Sequence, residues 1–335
     1  MKAVLVSKPG GPDALDLVDL PVPAPGPGQV QITAKAFGVS TPDALIRSGV
    51  YAWMPPLPAN PGNDLAGVVT AVGAGVASPA VGDKVLLSAR DLPMRGGCYA
   101  EVVCVAADVP HPLAPHVDLE QAVCLPNYQV AQALLQECGH PRAPRSVLVV
   151  GAAGGVGHPP GQVAKPAGPR VVGSGSPDDK AAFARRAGAD EGVFYRREDL
   201  VERVLALTGG EGVGRVYEHA GGPAFADYVK VLGAWGTLVS FNGFSPLPEA
   251  NLVAALRARM AVCPAVRSFS FPVYDHARDA RRALMRAVIG ALERGEIAPA
   301  VGTRLPLEDV RRAHALLEAG TSLGKIVMTT GAPGR

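Results

Sequence analysis

At 335 residues the chain is longer than one comfortable hydrophobic core can organise, so two domains are expected. Hydrophobic residues are 48% and charged residues 19%, a balance that excludes the disordered class and predicts a large buried core. The formal net charge is +2, with Lys and Arg scattered rather than run together, which argues against a nucleic-acid partner and for a small molecule.

The opening stretch MKAVLVSKPGG has only a short apolar run before Lys8 and Pro9, too short for a signal peptide. No later run reaches membrane-spanning length, so a cytoplasmic protein with no membrane partner is expected. From residue 1 to about 126, β-rich runs such as VQITAKAFGV and AGVVTAVG alternate with PAPGPG, PPLP and VGDKV, which predicts a mostly β domain with many turns. The five cysteines (98, 104, 124, 138 and 263) form no C-x-x-C pair and read as buried free thiols. HPLAPH places His111 and His116 in a turn, so no metal pair is expected there.

From about residue 127 to 260 apolar strands alternate with helical stretches: SVLVVG, a helix, RVVGSGS, DDKAAFARRAGA, RVYEHAGG, FADYVKVLG and GTLVSFNG. That alternation predicts an α/β, doubly wound parallel sheet covered by helices. Directly after the Val-rich strand SVLVV comes GAAGGVGHPPGQVAKPAG, residues 151–168. In the turn Ala153-Gly154-Gly155-Val156-Gly157, the three glycines let backbone approach a pyrophosphate and let a helix pack closely on the strand, with its free N–H groups toward the anion. Pro159 and Pro160 fit the first helical turn, but Pro166 would break a helix interior, so the helix is expected to kink or end early, with Pro169 as its exit.

Dinucleotide sites for NAD carry an acidic residue about 20 positions past the turn, to hold the ribose 2′-OH. Here that position is Ser174, followed by Gly175, and no acidic residue precedes Asp178. A small neutral loop followed by Lys180 suits a 2′-phosphate, which points to NADPH; Lys180 also fits a solvated lysine at a helix start. Beyond residue 260 come two amphipathic helices, ARRALMRAVIGALERG and LEDVRRAHALLEAG, and a final strand, GKIVMTT.

Several segments in this order resemble the medium-chain dehydrogenase/reductase superfamily: GVSTPDALIRSGVY (38–51), PGNDLAGVVTAVGAGV (61–76), VGDKV (81–85), GGCYAEVVCV (96–105), LPNYQVAQALL (125–135), AAGGVG (152–157) and AHALLEAGTSLGKIV (313–327). The resemblance covers essentially the whole chain and is narrowest to the zinc-independent quinone oxidoreductase, zeta-crystallin-like branch. It implies a GroES-like β-rich catalytic domain (1–126 and 261–335), a Rossmann NADPH-binding domain (127–260), an active site in the cleft between them, and a homodimer. Zinc-dependent members place a cysteine ligand where Ser40 stands, and a histidine in a G-H-E triplet that reads Gly62-Asn63-Asp64 here. A hydroxyl and an amide are poor zinc ligands, and the four-cysteine lobe for a structural zinc is missing, so no metal is expected.

Without a Lewis acid, hydride transfer to a quinone or to the C=C bond of an enone or enoyl thioester is the expected chemistry. The resemblance makes Tyr51 and Ser40 candidate donors to the acceptor oxygen; a tyrosine packed on PPLP and a strand-end hydroxyl are the other readings of the two. It also places Val130 where relatives carry a nicotinamide-contacting threonine, Leu45 where they carry a tyrosine, Tyr195 (with Arg196 beside it) at the 2′-phosphate, and Asn242 and Gly243 at a strand end facing the nicotinamide. A trans-acting enoyl-thioester reductase and a non-catalytic, crystallin-like NADPH-binding protein are the alternatives.

Overall fold

The structure, a computed structural model, describes residues 1–138, 142–175, 178–241 and 250–331. The chain divides into two units, Met1–Pro126 with Arg278–Arg335, and Asn127–Ala277. In chain order the strands are β1 (Lys2–Leu5), β2 (Asp16–Asp19), β3 (Gln29–Val39), β4 (Asp64–Val72), β5 (Lys84–Ser88), β6 (Val102–Ala106), β7 (His111–Leu113), β8 (Ser146–Val149), β9 (Arg170–Ser174), β10 (Glu191–Val193), β11 (Val213–Glu218), β12 (Leu232–Phe241), β13 (Ala265–Phe269), β14 (Val301–Pro306) and β15 (Lys325–Thr329).

In the first unit a mixed sheet runs β14-β15-β3-β4-β5-β7, with β6 also paired to β3. The period-2 pattern of β3 explains its place: Val30, Ile32 and Ala34 point inward, then Phe37 to Val39 are buried on both faces where β15 and β4 flank it. Val30, Ile32, Phe37, Leu65, Leu87, Tyr99 and Met328 belong to one core, each large apolar side chain contributing about 1.5–3 kcal/mol on burial.

HPLAPH departs from the expected turn: its first residues form β7, paired to β5. His111 is buried, with Nε2 2.8 Å from Asp91 Oδ2, while Arg281 donates to Asp91 Oδ1 through Nε (3.1 Å) and Nη2 (2.9 Å). Burial works against the Asp91 carboxylate, but His111 and Arg281 outweigh it and hold its pKa below the usual range. This network ties the helix Arg278–Glu293 to the first unit, with Leu284, Met285, Val288 and Ile289 on the same buried face.

In the second unit six parallel strands lie in the order β10-β9-β8-β11-β12-β13, so the strand order reverses between β8 and β11, the usual ligand crevice of an open parallel sheet. Residues 261–277 belong here rather than with the first unit, where the sequence reading put them, because β13 pairs in parallel with β12. FADYVKVLG is not the expected helix: a 3-10 stretch, Pro223–Val229, runs almost directly into β12. Among the cysteines Cys98, Cys124 and Cys138 are buried as expected, but Cys263 is exposed, in a left-handed cap at φ 50°. Among the described residues no helix is long and apolar enough to cross a membrane.

Candidate functional site

The glycine-rich turn follows β8 and folds back on itself. The Gly154 N–H donates to Gly151 O (3.1 Å), and Gly157 and His158 N–H groups donate to Gly154 O (3.2 Å each). A Cβ on Gly157 would lie 2.0 Å from Gly151 O, so only glycine fits there, and Gly151 itself has a φ of +65°. Gly154 differs, since a Cβ there would meet the protein only at ordinary contact distance, 3.6 Å from Gly151 O. Its bareness is therefore not demanded by internal packing. Ala153 is buried, Gly155 and Val156 are half-buried, and Gly155 O accepts from Asn127 Nδ2 at 2.8 Å.

The helix behind the turn is short, His158–Ala164, with both early prolines in its buried first turn. It passes at Lys165–Ala167 into a 3-10 turn closed by Gly168 in the left-handed region at φ 80°. Pro166 thus lies in that turn and not in a helix interior, as the early-ending alternative required. His158 is anchored by Nδ1 2.9 Å from Gly154 O and by edge-on packing against Tyr128 and Phe183.

Ser174 ends β9 beside this turn, with its carbonyl accepting from Ala152 N at 3.0 Å. The residue is fully buried, and its Oγ has no hydrogen-bond partner among the described residues. Gly175 N–H donates to Val193 O (3.1 Å), and a Cβ on Gly175 would meet Lys180 Cβ at 3.1 Å. Val193 pairs with Ser174 across β9 and β10, which brings Tyr195, two residues beyond and half exposed, to the same end of the sheet. The structure thus gathers the turn 153–157, Ser174, Gly175, Lys180 and Tyr195. Val130 is half-buried on the helix Leu125–Glu137, and Asn242 and Gly243 lie outside the described residues.

Sequence reasoning missed three groups around this turn. Glu218, buried at the end of β11, accepts from Ala220 N–H (2.6 Å) and Gly221 N–H (2.5 Å), and burial raises its pKa. His219 lies against Gly151 and Gly157, its pKa lowered by burial. Asn127 holds the turn through Gly155. The only signal for the first two was a charged EH pair between a strand and the glycines of HAGG.

In the first unit Ser40 sits in extended conformation (φ −144°, ψ 162°) before the helix Thr41–Ser48, which Gly49 ends at φ 75°. Asp43, wholly buried, receives four donors: Ser40 N–H (2.7 Å), Ser40 Oγ (2.7 Å) and Tyr99 OH (3.2 Å) on Oδ2, and Asn63 Nδ2 (2.6 Å) on Oδ1. Register supplies the neighbouring pair. Gly38 of β3 faces Asp64 of β4 and Val327 of β15, and a Cβ on Gly38 would strike Lys325 Cε at 2.9 Å. Through that gap buried Lys325 Nζ comes within 3.5 Å of Asp64 Oδ2. Burial, only partly offset by Lys325, pushes the Asp64 pKa up to about 6.

Ser40 is therefore not a lone strand-end hydroxyl, and its hydroxyl proton is directed at Asp43. Tyr51 stands at the other end of the same helix, whose eight residues span about 12 Å. It is 7% exposed, packed edge-on to Trp53 and clustered with Ile46 and Ala59, with Leu45 and Met54 against them.

Two family models match: "Zinc-binding dehydrogenase" over residues 187–328 and "Alcohol dehydrogenase GroES-like domain" over residues 26–115. The chain is 32% identical over 326 residues to a quinone oxidoreductase of Salmonella typhimurium, covering 96% of this chain and 97% of that protein. An NAD-dependent alcohol dehydrogenase structure superposes with a TM-score of 0.88 at 31% identity, covering 99% of this chain and 100% of that one. The Escherichia coli quinone oxidoreductase complexed with NADPH gives a TM-score of 0.82 at 29% identity, covering 98% of this chain and 100% of that one.

Proposed function

Because this chain belongs to the medium-chain dehydrogenase/reductase superfamily, in its zinc-independent quinone oxidoreductase branch, we propose that it is an NADPH-dependent reductase of a quinone or of an activated C=C bond in an enone or enoyl acceptor. The observation that carries the cofactor choice is Ser174. At the strand end where an NAD site needs a carboxylate stands a buried hydroxyl with no partner among the described residues; Gly175 next to it lies close to Lys180, and Tyr195 is at the same end of the sheet. A 2′-phosphate would take the Ser174 proton and meet the Lys180 charge, with Arg196 adjoining. The residues 153–157 would hold the pyrophosphate, Val130 an apolar wall for the nicotinamide, and Asn242 and Gly243 its polar edge. When bound, the reduced nicotinamide supplies the hydride.

The chain's own part is to orient the acceptor and to answer the charge that grows on its oxygen, for which Tyr51 and Ser40 are the proposed donors. The zinc named in one matched description has no fitting donor set: Ser40 and Asn63 both turn to Asp43, and no cluster of three His, Cys, Asp or Glu residues among those described could hold a metal. The protein is proposed to work in the cytoplasm as a homodimer. Replacing Lys180 and Tyr195 by Ala is expected to weaken NADPH by roughly 10-fold or more and NADH little, read by quenching of protein fluorescence. Equal weakening of both would overturn the 2′-phosphate assignment.

A further inference from the structure

The donor role of Ser40 carries a condition. A hydroxyl has one proton, and that of Ser40 is spent on Asp43 Oδ2 at 2.7 Å, so in this arrangement Ser40 offers an incoming ligand only lone pairs. It can donate outward only if Asp43 carries a proton and donates to Ser40 Oγ in return. The surroundings admit both arrangements. Tyr99 OH has a second acceptor, Gly38 O, at 3.5 Å, so it can leave Oδ2 when that oxygen is protonated, and Asn63 stays on Oδ1 in either state. Asp43 is wholly buried while Ser40 is half-buried, so Ser40 is the exit for any proton that Asp43 holds.

We propose that Asp43 and Ser40 form a proton relay that delivers the second hydrogen of the reduction to the acceptor oxygen. This rests on the reading that the acceptor is reduced beside Ser40. As hydride bonds to the acceptor carbon, the π electron pair moves onto the acceptor oxygen. The Ser40 O–H bond then breaks to form the new O–H bond on the acceptor, and the Asp43 O–H bond breaks to restore the Ser40 hydroxyl. Asp43 is left as a carboxylate holding four donors, and solvent returns its proton through Ser40 after product leaves. Ser40 is the catalytic residue of this pair, and Asp43 acts through it.

Burial favours a proton held on Asp43. Burial raises its pKa against the pull of Ser40, Asn63 and Lys325, while Asp64 adds a second negative charge nearby; Tyr99 and Cys98, both pushed well up by burial, stay neutral.

Two measurements test the relay. Infrared titration of the protein without nucleotide reads the protonated carboxyl stretch directly. A band lost in Asp43→Asn, kept in Asp64→Asn and shifted in Ser40→Ala is expected at the pH of turnover; no band from Asp43 at that pH overturns the proposal. In turnover, Ser40→Ala is expected to lower kcat by about 10²-fold with NADPH affinity unchanged, and Ser40→Thr to restore most of it. The fall of kcat with rising pH should vanish in Asp43→Asn. Full kcat in Ser40→Ala sinks the relay and leaves the reductase reading standing, whereas wild-type protein that binds NADPH and reduces no acceptor sinks both.

Discussion

Ser174 and Asp64 show how single positions report on a site. Ser174 was legible in the sequence because spacing from the glycine turn is a property of the β-turn-α-β repeat itself, and the missing carboxylate could be counted. Asp64 stands in the sequence only as the last residue of the triplet whose Asn63 replaces a zinc-ligand histidine, because its partner Lys325 is 261 residues away and meets it through the space that Gly38 leaves. Its pKa of about 6 against an ordinary 3.8 has a sign that can be measured. As pH rises through that interval the unfolded chain loses its proton first, so the folded state is penalised, fully so above pH 6. Asp64→Asn removes this titration, and the stability of the variant relative to wild type should therefore improve between pH 4 and 7 by at most about 3 kcal/mol, read from urea midpoints. A relative stability that is flat or moves the other way contradicts the assignment.

Elements were legible where periodicity is strong and opaque where it is short. The helix Arg278–Glu293 and strand β15 stand where apolar spacing put them. In contrast β10 has three residues and β13 is largely exposed, so neither makes an apolar run, and β13 moved the second boundary of the Rossmann unit past residue 260. The helix Leu200–Leu207 could have been found from its Asp199 cap, whose side chain accepts from Glu202 N–H. The proline helix resolves the conflict between glycine turn and prolines by stopping after seven residues. Since Pro166 occupies the start of a 3-10 turn, where its fixed φ is suitable, Pro166→Ala should cost about 0.4–1 kcal/mol through the unfolded chain. A gain in thermal stability would mean that the proline does interrupt a helix.

At the scale of the whole molecule the sequence carried the family, because seven segments in order leave few alternatives. It could not carry the acceptor, because Ser40 and Tyr51 are set by packing against Asp43 and Trp53, contacts that no spacing rule reveals. A purified protein is expected to be dimeric by light scattering and to hold no stoichiometric zinc by elemental analysis; one zinc per chain would contradict the turning of Asn63 and Ser40 to Asp43. Most direct is the loss of NADPH absorbance, with NADH in parallel, across benzoquinones, simple enones and enoyl thioesters. Turnover with at least one of these classes and preference for NADPH is the predicted result, and NADPH binding without reduction of any of them would contradict a reductase.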